Sequence, residues 1–177
     1  MKSTNFLTQE HKLILRALDV MDALAVFMDR GGKVDEQDVD RLLEFFRWFA
    51  DGHHQAKEET ILFPALKAAA TEEERPIQHM MFEHNQERHS LDELEKNLRL
   101  GKLSDFASLA NHFSSTLRNH IYKEDEILFV AADSILNVER DEAICEQLDR
   151  FDTPLDKEML KQKVQDLHSL EWKYLRK

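Results

Sequence analysis

The stretch His53-His54-Gln55-Ala56-Lys57-Glu58-Glu59-Thr60-Ile61-Leu62-Phe63 is echoed by His120-Ile121-Tyr122-Lys123-Glu124-Asp125-Glu126-Ile127-Leu128-Phe129. Each copy sets a His four residues before a Glu, His54 before Glu58 and His120 before Glu124, and then runs into Ile-Leu-Phe. On a helix that spacing brings imidazole and carboxylate together on neighbouring turns. The repeat reaches further back: Glu10-His11 with Arg16 precedes the first copy, and Glu83-His84 with Arg88 precedes the second. The chain therefore reads as a His followed by His-x3-Glu, written twice, which is a ligand set for a metal pair held between helices.

The composition agrees with a helical frame. Gly 4 and Pro 3 in 177 residues suit one domain with few turns and long helices. Hydrophobic residues at 42% suffice for a sizeable core, and charged residues at 33% supply the wet faces of amphipathic helices. A formal net charge of −11 argues against nucleic acid or an anionic membrane surface as partner, because phosphate contacts need clustered Lys and Arg. Cys145 is the only cysteine, so an intrachain disulfide and a Cys-based zinc site are excluded. No apolar run approaches the roughly 18 residues of a spanning helix, and the N-terminal residues lack the apolar core of a signal peptide. The expected location is the cytoplasm.

Four long helical stretches carry the repeated residues. The first is expected from about Thr8 to Asp29, with Leu7, Ile14, Leu15, Leu18, Met21 and Ala25 on one stripe and a stop at Gly31-Gly32. Asp35 is placed to cap the second, which runs through Leu42, Phe45, Phe46 and Phe49 to about Ala69; Pro64 should kink it or end it near Phe63. Thr71-x-x-Glu74 has the form of a capping box for the third, with Pro76 in its first turns and Gly101 at its close. Its stripe is Ile77, Met80/Met81, His84, Arg88, Leu91, Leu94 and Leu98. Ser104 is read as the cap of the fourth, which carries Leu109, Phe113, Leu117, His120, Glu124, Ile127 and Ala131.

Short loops favour antiparallel neighbours, so the expected fold is all-α, an up-down-up-down four-helix bundle over residues 1–137. Residues 138–177 are read as a C-terminal helical extension packed on the same domain, broken near Thr153-Pro154, with Trp172 and Tyr174 available to a partner.

Helix position sorts the 9 histidines. His84 lies seven residues from Ile77 and from Leu91, His120 seven from Phe113 and from Ile127, and His11 four from Leu7 and from Leu15, so all three face inward. Glu124 is three from Ile127 and seven from Leu117. A carboxylate buried there costs several kcal/mol unless a cation compensates it. A lone His on an apolar stripe is ordinarily a hydrogen-bonded core residue. Four His and two Glu recurring in order on four helices argue instead for a metal site. His79 and His89 are rotated roughly 140° from His84, and His112 and His168 also fall off the pattern. His53 shares its helix face with Phe46 and Phe49, leaving it open as an outer group or as the ligand in place of His54; the spacing to Glu58 favours His54.

Glu10-His11, His53-His54-x-x-Lys57-Glu58-Glu59-x-x-Leu62-Phe63-Pro64, Glu83-His84-x3-Arg88 and His120-x-x-Lys123-Glu124-Asp125-x-x-Leu128-Phe129 resemble the hemerythrin-like, HHE cation-binding family over about residues 7–135. The resemblance implies a four-helix bundle around a non-haem di-iron centre. It assigns His11, His54, His84 and His120 as terminal iron ligands and Glu58 and Glu124 as bridging carboxylates, with an oxo or hydroxo bridge between the two iron ions. Oxygen-carrying members place two histidines one turn apart on the third helix; here Met80 and Arg88 flank His84 at those distances.

The remaining four-His, two-Glu set resembles bacterial hemerythrin-like proteins and the di-iron domain of iron-centre repair proteins. Two six-coordinate irons have about twelve positions, of which these side chains and a bridging oxygen fill about ten. The open positions favour reactivity with O2, peroxide or nitric oxide, unless Glu59, Glu87 or His53 closes one. Met80, Met81, Phe46, Phe113 and Ile127 are candidates for the apolar wall of a small-gas pocket, and Arg16, Arg88, Lys57 and Lys123 for pairing with nearby acids.

The expected function is binding or sensing of a small gas or oxidant. Alternatives are a di-iron enzyme that reduces peroxide or nitric oxide, an iron-centre repair or iron delivery protein, and a bundle in which the metal serves only as a staple. Repair proteins carry a separate Cys-containing N-terminal domain, whereas this sequence starts within a few residues of His11, which weakens that alternative.

Overall fold

The computed structural model describes residues 1–70 and 74–176, with only the backbone considered at 103 and 104. Among them are six helices and no strand: α1 (Lys2–Asp29), α2 (36–69), α3 (Glu74–Arg99), α4 (103–135), α5 (Val138–Phe151) and α6 (Pro154–Tyr174). The first four form the bundle, with α4 packed between α1 and α3. The fold class is thus the all-α helical bundle read from the doubled phrase.

The turns follow local chemistry. After α1, Gly31 adopts φ +75° while Gly31 N–H donates to Met28 O and Gly32 N–H to Phe27 O, a paired closure that a left-handed residue permits. Gly101, at φ +65°, closes α3 in the same way. Asp35 caps α2 by accepting from Gln37 N–H, and Thr153 with Asp156 forms a capping box on α6.

Two helix starts differ from the sequence expectation, and of the two outcomes expected at Pro64 the helix continues to Ala69. The first helix begins at Lys2 rather than near Thr8, because Asp141 of α5 accepts from the backbone N–H groups of Lys2 and Ser3 and from the Ser3 hydroxyl. A carboxylate at a helix N-terminus satisfies orphan donors and opposes the helix dipole; here it comes from a distant part of the chain. The fourth helix begins at Leu103, with Lys102 rather than Ser104 at the cap position. Pro64 does not end α2. Phe63 N–H bonds back to Glu58 O across a wide turn, and Pro64 then falls in the first turn of the segment Phe63–Ala69, where its missing N–H costs nothing. The Thr71 capping box lies outside the described residues.

Two of the long helices are not uniform. In α2 the segments Phe46–Gln55 and Glu58–Leu62 are π-helical, as is Glu124–Leu128 in α4. A π-turn inserts one extra residue and is common at functional sites. It also resets the register that follows. Leu128 and Phe129 are buried, whereas Ile127, expected on the inner stripe and in the wall of a gas pocket, is 61% exposed. In the other copy Ile61 is buried, because Ile144 and Leu148 of α5 share its apolar cluster.

Among the described residues the core has two apolar clusters. One joins Ile14, Leu18 and Met21 of α1 to Phe46, Phe49, Leu91, Leu94, Phe113 and Leu117, and takes in Leu167 and Leu170 of α6. The other joins Leu7 to Leu62, Phe63, Leu66, Ile77, Met80, Leu128 and Phe129. Each fully buried Phe or Leu contributes about 1.5–3 kcal/mol. Between these clusters, at the level of His11 on α1 and His84 on α3, the interior turns polar. No helix among the described residues is long and apolar enough to cross a membrane.

Candidate metal centre

All four bundle helices contribute to the polar layer: His11 from α1, His54 and Glu58 from α2, His84 from α3, and His120 and Glu124 from α4, every one of them buried. Their side-chain atoms form two groups that could each hold a cation, His11/His54/Glu58/Glu124 and Glu58/His84/His120/Glu124, with the atoms of each group within 4.8 Å of one another. The two carboxylates belong to both groups. Glu124 Oε2 lies 3.2 Å from His11 Nε2 and 3.2 Å from His120 Nε2. Glu58 reaches His54 Nε2 and His84 Nε2, each at 3.5 Å, with its two oxygens. Both Glu residues open a π-turn, the feature their two phrases share.

Each ring is held from behind. His11 Nδ1 donates to Asp125 Oδ1 at 2.9 Å, His54 Nδ1 to Glu10 Oε2 at 2.9 Å, His84 Nδ1 to Glu59 Oε1 at 2.7 Å, and His120 Nδ1 to Glu83 Oε2 at 3.0 Å. A carboxylate at Nδ1 fixes that nitrogen as the donor and turns the Nε2 lone pair the other way. All four Nε2 atoms point into the layer. His84 Nε2 and His120 Nε2 stand 3.1 Å apart.

His84 Nε2 and His120 Nε2 face each other at hydrogen-bond distance, but six other inward-facing atoms have no hydrogen-bond partner. Both oxygens of Glu58, both of Glu124, and the Nε2 atoms of His11 and His54 are buried without a hydrogen bond. Orphaned buried acceptors are costly in a native protein. Converging lone pairs and shared carboxylates fit a pair of cations, and no side chain among the described residues satisfies them otherwise.

Protonation in the metal-free protein reflects the same crowding. Burial and the charge of Glu124 push the Glu58 carboxyl well above its usual range. Burial acts against Glu124 too, but the His120 and His11 imidazoles hold it well below, and Glu124 raises His120 in return despite burial. Burial, aided by the charge of His11, lowers His54 to about 4. Cations entering here displace protons, so their affinity falls with falling pH.

Glu10, Glu59, Glu83 and Asp125 are the groups whose roles the residue reading missed, although the signal was present. Glu10 and Glu83 each precede the first His of a repeat, and Glu59 and Asp125 each follow the shared Glu. They anchor the rings in a two-fold pattern, α1 to α2 as α3 to α4 (Glu10 to His54, Glu83 to His120) and α2 to α3 as α4 to α1 (Glu59 to His84, Asp125 to His11).

Of the groups left open, Glu59 therefore backs His84 instead of facing the layer, and Arg88 donates to it and to Asp51. His53 points away, its Nδ1 donating to Trp48 O at 2.8 Å. Lys57 and Lys123 pair with Glu10 and Glu83. Arg16 departs from the pattern and forms a bidentate pair with Glu171 of α6. His79, His89, His112 and His168 are exposed. Phe46 and Phe113 line a narrow pocket with Leu91, Leu117, Gln55 and Glu87; Met80 and Met81 lie in or against the other apolar cluster.

Glu87 is buried, accepts from Gln55 on one oxygen and leaves the other unpaired. Burial, reinforced by Glu124, pushes its carboxyl up to about 7 from 4.5. A folded-state pKa above the unfolded value contributes stability that is complete below about 4.5 and is lost as pH rises through about 7. Glu87→Gln retains the acceptor for Gln55 and removes that loss. At pH 8 the metal-free variant is expected to exceed the parent by at most roughly 3 kcal/mol, with the difference vanishing near pH 4.5; denaturant melts across this range check it.

The fold and the buried layer together define a helical bundle with a His- and Glu-lined cluster at mid-height that is compatible with a metal site. Residues 2–132 match the profile of the hemerythrin HHE cation-binding domain, and the chain belongs to that family. Comparison with curated proteins gives no match.

Proposed function

We propose that His11, His54, Glu58, His84, His120 and Glu124 hold two non-haem iron ions, with Glu58 and Glu124 shared between them, and that the protein binds or senses O2, nitric oxide or peroxide at the positions left open. The observation that carries this reading is the convergence of unpaired Nε2 and carboxylate atoms in a buried layer whose every imidazole is anchored through Nδ1. A mixed imidazole and carboxylate set suits iron in either valence, and such a pair supplies redox change and open coordination positions. The protein's part is orientation and exclusion. The four outer carboxylates prevent the rings from turning, and the apolar clusters on either side keep bulk water away.

The test is the visible spectrum of ferrous-loaded protein on addition of O2, peroxide or nitric oxide under anaerobic control. A charge-transfer band after oxidation and a distinct nitrosyl spectrum are expected. A reversible O2 adduct favours carriage or sensing, and steady consumption of peroxide favours an enzyme. Iron-loaded protein whose spectrum responds to none of the three contradicts the proposal.

A further inference from the structure

The two halves of the layer are related by the repeat, yet they are backed differently. In the His84/His120 half, Glu83 takes the Nδ1 proton of His120 and pairs with Lys123, whose side chain is 21% exposed, and with the exposed His79 at 3.2 Å. In the His11/His54 half, Glu10 takes the Nδ1 proton of His54 and pairs with Lys57 at 2.7 Å. Lys57 is only 1% exposed, because Nζ donates a second time, at 2.9 Å, to Asp152 Oδ2.

Asp152 sits in the turn between α5 and α6, outside the residues matched by the family profile. In this turn Thr153 and Asp156 cap α6 reciprocally, and the Phe151 ring lies 5.6 Å from Lys57 Nζ. The same turn meets the other histidine of the doubled phrase, His53, whose Nε2 lies 3.5 Å from Asp156 Oδ1. A continuous path of charge-assisted hydrogen bonds thus runs Asp152–Lys57–Glu10–His54 and ends at one half of the layer. Lys123 meets no second acid at hydrogen-bond distance among the described residues.

We propose that Asp152 is a positioning residue that locks the His11/His54 half, so that this half retains its ion while the His84/His120 half is the one that exchanges. The inference rests on the two-ion reading above. Groups that orient a ligating histidine from behind alter metal affinity by about 10–100-fold. Removing the acid that seats Lys57 should therefore loosen His54 and leave His120 alone.

The test uses the full chain loaded anaerobically with ferrous iron and mixed with an excess of a chromogenic ferrous chelator. The parent should release iron in two phases. Asp152→Asn should accelerate the slow phase by about 10-fold and leave the fast phase unchanged, and Asp152→Glu should restore much of the slow phase. Asp156→Ala disturbs the same turn without touching Lys57, so a merely structural role predicts equal acceleration in both variants, and positioning predicts it in Asp152→Asn alone. Circular dichroism of each variant checks that α5 and α6 remain folded. A single release phase in the parent, an unchanged slow phase in Asp152→Asn, or equal acceleration in Asp156→Ala overturns the inference while leaving the two-ion site standing. Failure of the parent to take up iron instead removes the reading on which it rests.

Discussion

Glu124→Ala is expected to abolish uptake of both ions, a larger effect than loss of any one histidine. Glu124 belongs to both groups: its Oε2 lies 3.2 Å from the Nε2 atoms of His11 and of His120, and its Oε1 lies 3.9 Å from that of His84. His11→Ala removes a side chain found in one group only, and His89→Ala removes an exposed ring found in neither. Binding at 1,000 times Kd stabilises a folded protein by about 4.1 kcal/mol. In a chain of this size each kcal/mol moves Tm by about 2–4 °C, so saturating metal should raise the melting temperature of the parent by on the order of 10 °C. Glu124→Ala should show none of that rise, His11→Ala part of it, and His89→Ala all of it. Thermal melts with and without metal give the answer, and an equal rise in Glu124→Ala and the parent would refute the shared role.

The second large effect concerns stability without metal. Lys57 and Lys123 occupy equivalent places in the doubled phrase, but Lys57 is buried between Glu10 and Asp152 whereas Lys123 is partly exposed beside Glu83. Removing one partner of a buried ion pair costs about 3–5 kcal/mol because it strands the opposite charge, and an exposed pair is worth at most about 1 kcal/mol. Lys57→Met should therefore lower Tm by on the order of 10 °C, and Lys123→Met by about 3 °C or less. Chemical denaturation of the two metal-free variants checks the ratio. Equal losses would mean that the turn between α5 and α6 contributes nothing to the burial of Lys57.

That contrast also marks the limit of what the sequence alone conveys. Periodicity of 3.6 residues against Leu, Ile and Phe, a local property, placed His11, His84, His120 and Glu124 on inner faces, and the repeated His-x3-Glu spacing added His54 and Glu58. The stops at Gly31 and Gly101 were legible for the same reason. Ile127 was not. Its outward turn follows from the π-turn that opens at Glu124, an inserted residue that uniform helical counting does not anticipate.

The start of α1 at Lys2 depends on Asp141, and the burial of Lys57 on Asp152, each contributed by a segment far away in sequence. Arg16 follows His11 by five residues and Arg88 follows His84 by four, so the two are offset by one position. Only Arg88 reaches an acid that backs a histidine, because Glu171 of α6 takes Arg16. Residues 138–174 carry no copy of the phrase, yet they supply the differences between two halves that the repeat would make alike.

The central claim is that six side chains from four helices form one layer for two ions, and anaerobic ferrous titration with metal analysis after removal of loosely held iron tests it most directly. Two ions per chain are expected in the parent, matching the two overlapping groups of buried His and Glu, and none in Glu124→Ala. No retained iron in the parent, or the same content in the parent and in Glu124→Ala, would contradict it.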